Sequence, residues 1–184
     1  MSERTSSPER WRPWGREGGG RLDAVVGALL CLIVLAAAGA IGLALKQPWL
    51  FPSLGPTVML FFASPAEKSS RPVNALVGHL VALAVGYAAF VTFGLTGMQS
   101  APVGGLTPAY LAAGATSVAV TTLVLQLIRL PHPPAGATTL IVSLGILSTP
   151  PDLLVMTGAV VLVVAAGWAL NVARGRWRST TTGR

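Results

Sequence analysis

Between Leu22 and Ala173 the chain carries only seven charged side chains: Asp23, Lys46, Glu67, Lys68, Arg71, Arg129 and Asp152. The other twelve are crowded into residues 1–21 and 174–184. A soluble domain carries about 25% charged residues; here the figure is 10%, with a mean hydropathy of +0.66. Too few charges remain to clothe a water-exposed surface, so a water-soluble enzyme is excluded. The chain reads as an all-α polytopic membrane bundle whose first partner is the lipid bilayer.

A net charge of +7 and a pI near 11.1 raise the question of nucleic acid. The basic residues, however, flank apolar segments and form no stripe interleaved with stacking aromatics, so no nucleic-acid partner is expected. The single cysteine, Cys31, lies inside an apolar run and leaves no intrachain disulfide and no Cys-x-x-Cys metal site.

Residues 1–21, rich in Arg, Gly, Ser and Pro, are expected to form a disordered tail, and residues 174–184 a second basic tail. Five arginines before the first apolar run would hold that end in the cytoplasm. The uncharged run 24–45 has 22 residues. That exceeds the h-region of a signal peptide, about 7–15 residues, and fits a retained span.

The remaining charges delimit uncharged stretches at 24–45, 47–66, 72–128, 130–151 and 153–173. The third has room for two crossings, broken near 96–108. At about 20 residues per helical span, this allows six segments in residues 22–173. Two of them, 47–66 and 130–151, open on Pro and Gly, and their helical parts are expected near 55–64 and 135–147. Such segments either cross as half-helices or re-enter, leaving four full spans. With six crossings, twelve basic residues lie inside and one outside; with four, the split is nine and four. The asymmetry of Lys and Arg favours six crossings with both termini cytoplasmic.

The two broken segments resemble each other. Phe51-Pro-Ser-Leu-Gly-Pro-Thr57 aligns with His132-Pro-Pro-Ala-Gly-Ala-Thr138 at an offset of 81, and Gly86-Tyr87 meets Gly167-Trp168 at the same offset. This suggests two related halves, about 22–97 and 104–173, arranged as an inverted repeat.

Chemistry is constrained most by what is missing. No Asp or Glu lies mid-membrane, so there is no carboxylate pair for acid/base hydrolysis and no acidic proton relay. Two distant histidines without a nearby Cys, Asp or Glu under-ligate a metal. No phosphate-binding loop ending in Lys-Ser/Thr occurs. Neither enzyme activity nor a cofactor is expected.

What remains is neutral to positive. Pro131, Pro133 and Pro134 force extended chain before a helix, where free N–H groups and the positive dipole end would face a ligand. His132, Pro133, Pro134, Gly136, Thr138 and Thr139 are candidates on that turn, with Ser53, Gly55 and Thr57 as the repeated counterpart. Ser143 adds a further hydroxyl. His79, in the third span, is the other side chain able to carry a proton near neutrality. Asn74 reads as a cap, and Trp49, Trp168 and Trp177 as interfacial belt residues. Two half-helix N-termini converging near the midplane would take a small anion.

The run LPHPPAGATTLIVSLG resembles the signature region of the HPP family, integral membrane proteins marked by a His-Pro-Pro run, here His132-Pro133-Pro134. The upstream PSLGPTVMLFFASPAEKSSRPVNALVGHLVALAVG is similar to that family's first half. Where relatives often read Leu-Gly-Ala-Ser, this chain reads Leu54-Gly55-Pro56-Thr57. The family is usually described as four-span. Members from chloroplasts and cyanobacteria are implicated in nitrite transport, so the resemblance implies a permease for nitrite or another small inorganic anion, which for this chain would sit in a bacterial inner membrane. A channel for a small neutral solute and a non-transporting assembly subunit are the other readings. A chain this short is compatible with a homo-oligomer.

Overall fold

The computed structural model describes residues 20–182, with side chains as far as Gly175. The N-terminal tail and the side chain of Trp177 therefore lie outside the described residues. Among those described there are seven helices and no strand. They are α1 (Arg21–Leu45), α2 (Leu54–Ala63), α3 (Pro72–Thr92), α4 (Ala101–Gly104), α5 (Pro108–Leu127), α6 (Pro134–Ser143) and α7 (Pro150–Thr182). A 3-10 turn at Lys68–Ser70 precedes α3.

Local chemistry sets these boundaries. Helices α3, α5, α6 and α7 each begin on a proline, which is pre-set for helical φ and lacks an N–H that would go unbonded anyway. At α7 a reciprocal cap forms: the Thr149 N–H donates to the Asp152 carboxylate at 3.0 Å, and the Asp152 N–H donates to the Thr149 hydroxyl at 3.4 Å. Helices α1 and α5 stop in the same way, on a basic residue in the left-handed region, Lys46 (φ 54°) and Arg129 (φ 58°). The following N–H groups reach back five residues, Gln47 to Gly42 at 2.9 Å and Leu130 to Leu125 at 2.9 Å. The two stops are one device used twice, 83 residues apart.

Helices α1, α3, α5 and α7 are long and apolar enough to cross a membrane. Helices α2 and α6, with ten residues each, are about 15 Å long and too short alone. Extended chain completes them. A Cβ placed on Gly42, Gly39 or Gly27 of α1 would meet Trp49, Leu50 or Phe62 in turn, so residues 49–62 run the length of α1 in the opposite direction. Likewise His132 lies against Gly78, Thr139 against Gly86 and Gly145 against Phe90, so residues 132–145 run the length of α3.

Six segments thus pass between the two ends of the bundle, four as full helices and two as broken ones. The proximal end carries the start of α1, residues 62–71, Arg129 and Arg174. The distal end carries Lys46, α4 and Thr149.

Helix packing follows the pattern that an inverted repeat predicts. Contacts of α1 with α2, α2 with α7 and α1 with α7 have counterparts in α5 with α6, α6 with α3 and α5 with α3. The third helix of each half therefore packs on the short helix of the other. Gly86 makes room for Val142, and Gly167 makes room for Phe61; both pairs are related by the offset of 81. Small residues let these backbones approach where lipid supplies no hydrophobic drive for association.

Three expectations are corrected. The helical parts are 54–63 and 134–143, the second ending earlier because Gly145 turns the chain at φ 76°. Helix α7 continues to Thr182, and Arg174, placed in the tail by sequence, donates to the carboxylate of Asp23 at 3.2 Å and to the Phe62 carbonyl at 3.3 Å. Asn74 does not cap α3; its amide donates to the Pro131 carbonyl at 3.0 Å.

Six passes place Gln47 and Glu67 at opposite ends, whereas a re-entrant second segment would return Glu67 to the side of Gln47. In a Cys31→Ser background, single cysteines at these exposed positions are expected to react with an impermeant thiol reagent from opposite sides of a sealed vesicle. Reaction from one side refutes six passes.

Candidate functional site

The two broken segments meet inside the bundle, side by side and antiparallel. The start of α2 supplies Ser53 and Thr57; the turn into α6 supplies His132, and the first turns of α6 supply Thr138. Helix α3 inserts His79 between them. All five side chains are at most 2% exposed.

The Thr57 hydroxyl donates to the Ser53 carbonyl at 3.0 Å, as a helical threonine commonly does. The Thr138 hydroxyl donates to the Ser53 hydroxyl at 2.8 Å, across the two segments. Each threonine oxygen then faces one nitrogen of His79: Thr57 at 2.9 Å from Nε2, Thr138 at 2.7 Å from Nδ1. The two threonines are the pair related by the offset of 81, so His79 stands where the repeats cross.

His132 is fixed differently. Its Nδ1 lies 2.9 Å from the Ser69 carbonyl, which can only accept, so Nδ1 carries a proton. In the neutral ring Nε2 is then a bare lone pair, 3.4 Å from His79 Nε2 and 3.4 Å from the Thr57 hydroxyl. The rings meet edge to face, with centroids 5.0 Å apart. With both threonine hydroxyls donating to Ser53, a doubly protonated His79 finds an acceptor at each nitrogen. If Thr138 turns its hydroxyl toward Nδ1, the neutral ring is served instead. Either protonation state fits without moving a heavy atom.

This closeness depends on Gly78, where a Cβ would lie 2.8 Å from the Cβ of His132. Sequence reading did not mark Gly78 as a site residue. It also missed Ser69, whose carbonyl orients His132. A glycine next to the histidine of α3 was the available signal.

Of the ten candidates, Ser53, Thr57, His79, His132 and Thr138 come together, and the other five do not join them. Thr139 turns to α5, with its hydroxyl 3.0 Å from that of Thr121. Pro134 is buried at the head of α6 and Pro133 is exposed. Gly55 and Gly136 are half-buried with open space where a Cβ would be. The expected free N–H groups are largely absent as well. Pro56 and Pro134 have none, and those of Ala135 and Gly136 donate to the His132 and Pro133 carbonyls. Donors at the centre are therefore imidazole and hydroxyl groups, with little from the helix ends. Among the described residues no group of three His, Cys, Asp or Glu converges on a metal position.

The tryptophans divide. Trp168 is 58% exposed, as a belt residue would be. Trp49 packs on Gly42 and Gly158, and its Nε1 is buried without a partner among the described residues.

Replacing Thr138 with valine keeps the shape and removes the hydroxyl between His79 and Ser53. A loss of about 1–3 kcal/mol is expected from the buried groups left unpaired, read as a lowered melting temperature in detergent. An unchanged melting temperature would mean that the cluster contributes nothing to stability.

Neither the curated proteins nor the solved structures contain a match to this chain. The family described as HPP, transmembrane region, matches residues 18–179, which takes in all six passes and both halves of the polar centre. The chain belongs to the HPP family of integral membrane proteins.

Proposed function

We propose that the chain is a permease for a small inorganic anion, nitrite first, moving together with a proton. The observation that carries this reading is a buried cluster of two imidazoles and three hydroxyls at the crossing of two broken membrane segments. Non-helical backbone and ionisable groups at membrane depth are costly and are found where a solute or ion passes.

The chemistry of the cluster favours an acceptor-rich solute. It offers rotatable hydroxyls and ring N–H groups, and no carboxylate that would repel an anion. It also holds no arginine or lysine. A bare anion in such a place would be an uncompensated buried charge, so a proton must accompany it, on His79, on His132 or on the solute. The His132 lone pair facing His79 provides a place for that proton. No bond-making chemistry is assigned to these groups, and the chain is read as a non-enzyme. The positive-inside rule puts the proximal end, with Lys68, Arg71, Arg129 and Arg174, in the cytoplasm, and a bacterial inner membrane is the setting proposed.

Nitrite entry into proteoliposomes tests the proposal. Nitrous acid crosses bare lipid, so the signal is the excess over empty vesicles at neutral pH and above, where the anion dominates. Saturable excess uptake is expected. In His132→Ala it should fall about tenfold, the equivalent of one lost hydrogen bond worth about 1.4 kcal/mol. No excess at any pH removes the nitrite reading and leaves a neutral-solute channel or an assembly subunit.

A further inference from the structure

The two halves share a scaffold but differ in what fills it. Where α5 and α6 of the second half pack on α3 of the first, the three helices enclose a seam. At its proximal end Ala82, Leu125 and Ala135 pack together as one apolar layer. At its distal end Phe90, Leu95, Tyr110 and Ala113 form another. Between these layers α5 contributes Ser117 and Thr121, and α6 contributes Thr139 and Ser143, all at most 2% exposed. Gly86 of α3 adds no side chain there, and its neighbour is the Thr139 backbone.

The first half is apolar at the matching places. The helix stops at Lys46 and Arg129 align α1 with α5 at an offset of 83, which puts Val34 and Ala38 where Ser117 and Thr121 stand. The offset of 81 puts Val58 and Phe62 where Thr139 and Ser143 stand. All four are buried in the apolar core. Packing alone, which the first half achieves with valine, alanine and phenylalanine, does not require hydroxyls.

A second observation concerns Ser143. Thr139 bonds the Ala135 carbonyl and Thr121, and Ser117 bonds the Gly114 carbonyl. The Ser143 hydroxyl, one turn beyond Thr139 on the same face of α6, is fully buried and has no partner among the described residues. Buried hydroxyls are bonded to protein or to water in nearly all cases, so an unpaired one marks a place that water or a polar solute reaches.

We propose that the seam lined by Ser117, Thr121, Thr139 and Ser143 is the water-accessible limb of the route from the histidine centre to the distal end, and that its counterpart in the first half stays closed. Thr138 in the centre and Thr139 in the seam are adjacent residues, so the two polar regions lie on neighbouring faces of α6 at the same level. The occupant is water or a small solute able to exchange hydrogen bonds with hydroxyls, admitted when the Phe90–Tyr110 layer parts. This rests on the permease reading for its purpose; its test does not.

The test is thiol accessibility in reconstituted protein carrying Cys31→Ser. Single cysteines at Ser117, Thr121 and Ser143 are compared with Val34→Cys, Ala38→Cys and Val58→Cys, using a small anionic methanethiosulfonate applied from the distal side. Total thiol is counted after unfolding. The seam cysteines are expected to react about tenfold faster or more, since only a hydrated thiol forms the reactive thiolate. Equal rates in the two halves, with full reactivity after unfolding, overturn the proposal. Melting of Ser143→Ala gives an independent reading. A dry, unpaired hydroxyl predicts a higher melting temperature on its removal and contradicts the proposal; an unchanged or lower one supports it. Fast seam labelling without nitrite uptake would keep the water route and discard nitrite.

Discussion

Unpaired backbone in an apolar interior is the constraint on which the rest of this structure depends. Residues near 47–53 and 130–133 are not helical, yet they pass through a bundle whose surroundings offer no water. Proline lowers the demand by removing N–H groups at positions 48, 52, 131, 133 and 134. Specific side chains take up part of what is left, Asn74 bonding the Pro131 carbonyl and Thr57 the Ser53 carbonyl, while Asn171 and Arg174 bond the carbonyls that end α2. The polar centre is therefore the place where the fold is closed as well as the place where a solute would pass. Glycine at 78, 86 and 167 is what lets the broken segments come close enough for this.

The inverted repeat supplies the geometry and then departs from it. Threonines 57 and 138 are equivalent and flank a single histidine, because the position matching His79 in α7 is Val160. The position matching His132 is Phe51. Both imidazoles thus sit on the side of the frame built by α3, α5 and α6, as do the hydroxyls of the α5–α6 seam, and the side built by α1, α2 and α7 has neither. A scaffold with equal halves and unequal chemistry has a direction, and direction is what a transport route needs.

Much of the frame was legible in the sequence. Seven charges in the stretch from Leu22 to Ala173 fix the membrane class, and the charge-free stretches between them hold the four long apolar helices and the two short ones. The Pro-x-x-Gly-x-Thr recurrence at an offset of 81 located both broken segments. The site was legible only in part. Pairing His79 with His132 links residues 53 apart through a turn, and no local pattern announces such a contact. Pro133, Gly55 and Gly136 were chosen for helix-end chemistry, but prolines and tight turns leave few N–H groups free there. Ser117 and Thr121 were overlooked because hydroxyls inside an apolar helix carry no periodic signal of their own; only comparison with Val34 and Ala38 reveals them.

The central claim is that the two broken segments meet, with Ser53 against Thr138. Cysteines at these two positions, in a chain lacking Cys31, test it most directly. The hydroxyls they replace lie 2.8 Å apart, so membrane-permeant iodine should join the pair into an intramolecular disulfide that shifts mobility and reverses on reduction. Thiols that stay free in the folded protein, yet react completely once it is unfolded, would contradict the meeting of the segments and with it the site.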